Sequence, residues 1–184
     1  SLNRNKVLAL TSNQNVLNYG SMVIEVGKPI YTFYLSKSAG VSPATGKQLY
    51  YSYYRYAVDP NGAMITERCP EYVTDDVSLA TMSKYYYGSR QPLFSGSISS
   101  NFTIFKCIDL SFMTTYSVGG KIQDGLYESA MHVTYPGNNW HKNILRRWQK
   151  PGDVTDVPMV EIGGSYASVG ESLVDASYFA IKNI

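Results

Sequence analysis

Whatever chemistry this chain of 184 residues performs rests on two His, two Cys, two Trp and a scatter of carboxylates. His132 and His141 are nine residues apart with no second ligand cluster beside them. Zinc takes four convergent ligands, so the spacing suits solvated loop histidines instead. Asp153 and Asp156 follow the Pro151-Gly152 turn, where Asx-turn and capping roles fit better than Ca²⁺ ligation, which needs a repeated acidic loop. A glycosidase needs two carboxylates facing across a cleft. Asp109, Asp153 and Glu161 are carboxylates that any chain of this size contains, and they carry no such signal. Asn101-Phe102-Thr103 spells a glycosylation triplet, but inside a strand it is accidental. No catalytic residue, metal or other cofactor is expected. The best binding candidates are Trp140, Arg146, Arg147 and Trp148, because aromatic and Arg side chains anchor interfaces. For both tryptophans, packing within their own segment is the competing role. Tyr85, Tyr86 and Tyr87 leave three readings open: an interfacial aromatic belt, a packing cluster, or a substrate contact.

The elements that would position these residues are strands. From Phe94 to Thr103 the even positions are Phe94, Gly96, Ile98, Ser100 and Phe102, and every odd position is polar. From Cys107 to Val118 the even side is Ile108, Leu110, Phe112, Thr114, Tyr116 and Val118. Successive side chains of a strand point to opposite faces, so each segment has one apolar and one polar face. Ile104-Phe105-Lys106 is short enough to join the two as a hairpin. Met22–Val26, Ile30–Ser36, Gln48–Val58 and Leu173–Ile184 also read as strands, with a turn at Asp59-Pro60-Asn61-Gly62 and a loop over Ala39–Gly46. One helix is expected, Asn139–Lys150. Asn138 or Asn139 would cap it, Ile144, Leu145 and Trp148 would share a face, and Pro151-Gly152 would end it. It lies in Lys121–Glu171, a stretch with little strand pattern and far longer than an ordinary connection.

Composition narrows the class. Charged residues are 16% of the chain, well below the roughly 25% of soluble domains, and 44% hydrophobic content excludes a disordered chain. A net charge of +2 excludes a nucleic-acid partner bound by bulk electrostatics. Seventeen Tyr suit strands, grooves and membrane interfaces. No apolar run approaches the ~20 residues of a spanning helix. The first residues, Ser1 to Asn5, include no starting Met and no secretory signal, and the last ones fall inside a strand pattern, so the chain reads as a section of something longer. Two strands of 10–12 residues, tightly joined and followed by a long loop, match a transmembrane β-barrel, and a soluble β-sandwich shares the same alternation.

Several phrases favour the barrel. Val26-Gly27-Lys28-Pro29-Ile30-Tyr31-Thr32-Phe33-Tyr34, followed by Ala39–Gly46, resembles the "EGKPI-x-x-FY … AGVDPxTG" passage of SusC/RagA-like TonB-linked outer-membrane receptors. Tyr87–Gly96 is similar to that family's "GSxxPxxxGG", and Phe105–Ser111 to its "YKxFDLS" hairpin. Arg147–Pro158 matches "RWxxPGDxTDxP", and Ser172–Ile184 resembles "xxLEDASYLRIKNI". The five phrases occur in the family's order from about Lys6 onward. Ser42, Val26, Ser95, Ser97 and Ala180 depart from it.

The resemblance implies an all-β fold, with antiparallel strands forming part of a large transmembrane β-barrel and one long exterior loop carrying a short helix. Residues 1–184 would be a late barrel section, without the plug or the terminal strands, and 121–171 the extracellular loop. The implied setting is the bacterial outer membrane. The implied activity is import, without enzymatic chemistry, of glycans or peptides. The implied partners are a SusD-like surface lipoprotein lid, the TonB complex through a segment outside this chain, the oligosaccharide or peptide substrate, and membrane lipid. The turn at Phe105-Lys106 would face the periplasm, the even face lipid, and the odd face the lumen. The rivals are a soluble β-rich carbohydrate-binding module using its tyrosines as stacking platforms and, last, a soluble β-fold hydrolase.

Overall fold

In the computed structural model the described residues are 5–11, 15–132 and 137–183. Their strands are β1 (Val16–Tyr19), β2 (Met22–Glu25), β3 (Thr32–Val41), β4 (Gln48–Val58), β5 (Met64–Thr74), β6 (Lys84–Ser89), β7 (Phe94–Ile104), β8 (Ile108–Val118), β9 (Lys121–Gln123), β10 (Leu173–Asp175) and β11 (Tyr178–Asn183). Two short helices, α1 (Val77–Met82) and α2 (Gly125–Met131), and two 3-10 turns, Lys142–Arg146 and Gly170–Ser172, complete the list. The fold is all-β, its sheets are mostly antiparallel, and no barrel closes among the described residues. No described helix is long and apolar enough to cross a membrane. The chain divides into two compact units: residues 1–33, 88–122 and 174–184, and residues 34–87 and 123–173.

The first unit holds the expected hairpin. β7 and β8 pair without a slip from Phe94↔Val118 to Ile104↔Ile108. The strand reaches one residue further than the alternation suggests, to Ile104. Cys107 N–H donates to Ile104 O at 3.2 Å, and Phe105 and Lys106 have φ of 51° and 60°. Both central residues are thus left-handed, the type I′ geometry whose twist matches that of flanking strands. β11 adds to the other side of β8, with Phe179 opposite Tyr116 and Ile181 opposite Thr114. The β1–β2 hairpin meets the start of β3 through Met22↔Phe33 and Val23↔Thr32, where Val23, Thr32 and Phe33 are buried.

The second unit is built on the continuation of β3 with β4, β5 and β6, in which β6 pairs with β3. Tyr50 of β4 is buried against Ala80 of α1 and Ala167, with Val77 and Val169 packed around them. Its hydroxyl accepts from Ala167 N–H at 3.3 Å. Asp76 caps α1 by accepting from Ser78 N–H and Leu79 N–H at 2.7 and 3.2 Å, which satisfies donors that the helix leaves open. Buried Ser52 and Ser83 share a hydroxyl contact at 2.8 Å, so the polar atoms enclosed under α1 are partnered.

Four expectations need correction. Ala39–Val41 is strand, not loop: β3 continues to Val41 through a bulge at Ala39, beside Gly40 at φ +93°, after which Gly40 and Val41 again pair with β4. Leu173–Ile184 is broken at Ala176-Ser177, where Ser177 N–H donates to Asp175 Oδ1 at 2.6 Å and turns the chain between β10 and β11, and Ile184 lies outside the described residues. The stretch Lys121–Glu171 contains a strand, β9, and a helix, α2, that its pattern does not announce. The helix over Asn139–Lys150 does not form. Only Lys142–Arg146 winds, as a 3-10 turn started by His141, whose Nδ1 accepts from Asn143 N–H at 3.2 Å. The N–H groups a longer helix would use go elsewhere: Trp148 N–H to Val157 O, and Gln149 and Lys150 N–H to Asp153 Oδ2. Ile144 is buried while Leu145 is 71% exposed, so the two do not share a buried face.

Candidate functional site

Trp148 belongs to a clamp inside the second unit. Its indole N–H donates to Pro43 O at 2.9 Å, and Gly152 N–H donates to the same carbonyl at 2.9 Å. Met159 N–H donates to Gly46 O at 2.8 Å. Gly46, at φ +72°, has no side chain, and a Cβ there would collide with the indole ring. The β3–β4 connection and the segment from Trp148 to Met159 therefore hold each other through backbone hydrogen bonds and one aromatic ring. Asp153 serves as a backbone acceptor, in line with the turn role expected of it. Asp156 pairs with Arg146 at 3.1 Å, an exposed ion pair worth little on its own.

Trp140 is 45% exposed, next to a residue that is firmly held. His141 N–H donates to Ala130 O at 3.1 Å, and its ring meets Tyr127 edge-on with centroids 4.9 Å apart. Arg147 is half-buried. The structure thus separates the four loop candidates: Trp148 is engaged in packing, Arg146 in an ion pair, and Trp140 shows a large aromatic surface.

On β6, alternation sends Tyr86 to one face and Tyr85 and Tyr87 to the other. Tyr86 packs at a tilt on Tyr34 with centroids 4.7 Å apart. The Tyr87 ring lies against Gly170, where a Cβ would collide with it, and its hydroxyl donates to Ser36 O at 3.3 Å. Tyr85 joins a polar aromatic cluster that sequence reading missed. Its hydroxyl donates to Glu71 Oε2 at 2.8 Å, and Glu71 pairs with Lys37 at 3.5 Å. The Lys37 ammonium sits 4.2 Å from the Tyr51 ring centroid, and Tyr53 meets Tyr85 edge-on at 5.6 Å. Tyr51 and Tyr53 could be placed on one face from the tyrosine run in Gln48–Val58. Nothing in the sequence pattern marked Glu71, which lies on β5.

His132 stacks on Tyr166 with ring centroids 4.2 Å apart. Burial pushes the His132 pKa below its ordinary value, against the opposing pull of Glu128, and burial raises that of Tyr166. The described residues contain no group of three or more His, Cys, Asp or Glu side chains able to hold a metal. Cys69 and Cys107 are both free thiols.

The other candidate surface lies in the first unit. One face of β7–β8–β11 carries Phe94, Ile98, Phe102, Ile104, Ile108, Leu110, Phe112, Tyr116, Val118, Phe179 and Ile181, as the register requires. Ile98 is 53% exposed, Phe102 51% and Ile181 59%. Phe102 stacks on Phe112 at 5.9 Å, and Tyr116 bends over Gly96, where a Cβ would lie 2.6 Å from its hydroxyl. The opposite face carries Ser95, Ser97, Ser99, Asn101, Thr103, Asp109 and Ser111. A bare apolar face of this extent on a soluble monomer is unusual, and it marks a surface meant to be covered.

The chain matches no protein-family profile and no curated protein. Solved structures do resemble it. A chain of the RagAB peptide transporter superposes with a TM-score of 0.70 at 23% identity, covering 97% of this chain and 18% of that one. A chain of the RagAB peptide importer in its closed-closed state gives 0.67 at 24% identity, with 98% and 19% covered. The open-open state gives 0.56 at 21%, with 97% and 18% covered. This likeness establishes the fold. The chain spans less than a fifth of the length of the transporter chains it resembles.

Proposed function

We propose that this chain is a late section of the β-barrel of a TonB-linked importer in the bacterial outer membrane, working with a SusD-like lipoprotein to take up peptides or glycans, without enzymatic activity. The observation that carries the reading is the two-faced sheet β7–β8–β11. β7 and β8 each have 11 residues, the length a tilted barrel strand needs to cross the hydrocarbon layer. Lipid requires the apolar even face, and a wet lumen tolerates Ser, Thr, Asn and Asp on the odd one. In this reading the turn at Phe105-Lys106 faces the periplasm. Residues 121–171 face the cell exterior, where Trp140 and Arg147 are available to the lid protein or the substrate. The likeness to peptide-transporter chains and the five sequence phrases support the same assignment.

The test is site-directed spin labelling of the full receptor in bilayers, with Cys69 and Cys107 replaced by Ser. A label at Phe102→Cys should be relaxed by oxygen, which concentrates in lipid, and one at Asn101→Cys by a water-soluble nickel chelate. Equal access of both reagents to both labels would remove the membrane assignment and favour a soluble module.

A further inference from the structure

Within the second unit a cavity of about 180 Å³ opens between the end of β3, the start of β4, α2, and the turns at Asp156–Pro158 and Val169–Ser172. We propose that it is a subsite for a lysine or arginine side chain of a transported peptide, an assignment that rests on the import reading above. Its size fits one long side chain, because pockets for drug-sized ligands begin near ~300 Å³. Its walls are of two kinds. Met131, Val157, Pro158 and Val169 are apolar and suit a methylene stem, while Glu128, Asp156 and Glu171 supply carboxylates for a cationic head.

The charge balance favours a cation. Among the described lining residues none is Lys or Arg. Of the three carboxylates, only Asp156 has a cationic partner among the described residues, Arg146 at 3.1 Å. Glu128 accepts from Gln123 Nε2 at 2.7 Å, and Glu171 from Ser38 N–H at 3.4 Å, both neutral donors. An ionised carboxylate has about four acceptor sites, so each keeps capacity for a charged donor. The remaining titratable lining group besides the carboxylates and the Tyr127 phenol is His132. Its Nδ1 is buried without a hydrogen-bond partner among the described residues, and burial holds the ring toward its neutral form, so it adds no competing positive charge. A neutral sugar would leave this charge uncompensated, and an acidic side chain would be repelled.

The probes are Nα-acetyl-lysine N-methylamide and its norleucine counterpart, which share a stem and differ in the ammonium. Binding to the full receptor in detergent is followed by ligand-observed NMR. The lysine probe should bind at least tenfold more tightly than the norleucine probe. The Glu128→Gln/Glu171→Gln double variant, whose amides still accept the Gln123 and Ser38 hydrogen bonds, should lose that preference. Met131→Trp should block the lysine probe by filling the cavity with the carboxylates intact. Equal binding of the two probes, a preference unchanged in the double variant, or no lysine binding at millimolar concentration overturns the subsite. If the spin labels at Phe102 and Asn101 behave as expected while the lysine preference is absent, the subsite falls and the importer stands. If the labels fail, the importer reading falls whatever the probes do.

Discussion

The indole of Trp148 occupies the space beside the Cα of Gly46 that any side chain there would need. The two residues are about a hundred positions apart, yet the contact is reinforced on both sides by Met159 N–H to Gly46 O and Trp148 Nε1–H to Pro43 O. The left-handed backbone at Gly46, the carbonyl at Pro43 and the aromatic ring form one fitted contact. It places the segment from Trp148 to Met159, and so the Asp156–Pro158 wall of the cavity, against the end of the β3–β4 connection.

Trp148→Ala should therefore loosen this clamp more than it changes any partner contact. Trp148 is half-buried, so the loss should be about 2 kcal/mol, below the roughly 3–5 kcal/mol of a fully buried Trp. In limited proteolysis of the full receptor, cleavage within 43–47 and 148–159 should rise roughly thirtyfold, the equivalent of that energy. Gly46→Ala should act in the same direction, because it adds left-handed strain to the collision with the ring. Unchanged protection in both variants would mean that the loop is held by other contacts.

Legibility in the sequence followed how strictly local pattern governs each element. β7 and β8 were readable because an unbroken alternation of apolar and polar residues runs through them, and the observed register keeps it without a slip. β4 was readable to the residue from its tyrosines and the turn that follows. β5 was not. It carries Pro70 and four charged or cysteine positions around it, and its register with β4 shifts between Ser52 and Tyr54, so no period-2 signal survives. Pro is tolerated there because β5 ends the sheet order. The region around Trp148 misled for a different reason. Its helical spacing is real, but Val157 O and Asp153 Oδ2 take the donors a helix would use, and those acceptors come from a fold the spacing cannot reveal. The candidate site was half legible: the tryptophans were visible as types, whereas Lys37, Glu71 and Glu171 acquire their roles only through pairing across the sheet and the loop.

Trp140 carries the partner hypothesis for the loop. It is 45% exposed and sits beside His141, which is fixed to α2 by its backbone and ring, so its indole is presented from an ordered support. Trp140→Ala in the full receptor should weaken lid association by roughly thirtyfold, about 2 kcal/mol for truncating an anchor, with an unchanged melting temperature. Binding of the lid measured by surface plasmon resonance distinguishes this from Trp148→Ala, whose melting or proteolysis changes first. Unchanged lid binding and uptake would reduce Trp140 to a surface residue.

His132 should titrate below the ordinary histidine value of about 6.5, since burial against Tyr166 disfavours the imidazolium more than Glu128 favours it. Glu171 and Asp156 line the same cavity and also face this group. With a depressed folded-state pKa, the neutral ring contributes stability above the unfolded value, and that contribution is lost as pH falls through the folded one. Stability of the 123–173 segment, followed by hydrogen exchange, should drop as pH is lowered through and below 6.5. His132→Gln should flatten the dependence. A histidine NMR titration with a midpoint above 6.5 would show instead that the carboxylates dominate.

The two faces of β7 should respond oppositely to charge. Ile98 lies near the middle of the strand on the apolar face, with Thr114 opposite, and Ser99 follows it on the polar face opposite Met113. In a barrel, an Arg on the lipid face near the bilayer centre costs about 2–4 kcal/mol, and the cost fades toward either interface. Ile98→Arg should therefore destabilise the folded receptor by that amount, and Phe94→Arg, at the strand end beside Val118, by at most about 1 kcal/mol. Ser99→Arg should be tolerated, because its side chain points to the face that, apart from Met113 opposite, carries Ser97, Asn101 and Ser111. Urea-induced unfolding from phospholipid vesicles measures all three. The ordering Ile98 over Phe94 over Ser99 requires both a depth-dependent medium on one face and a wet one on the other. A soluble sandwich would bury Ile98 and Phe94 in the same protein core and penalise them alike, so equal costs at those two positions would count against the membrane.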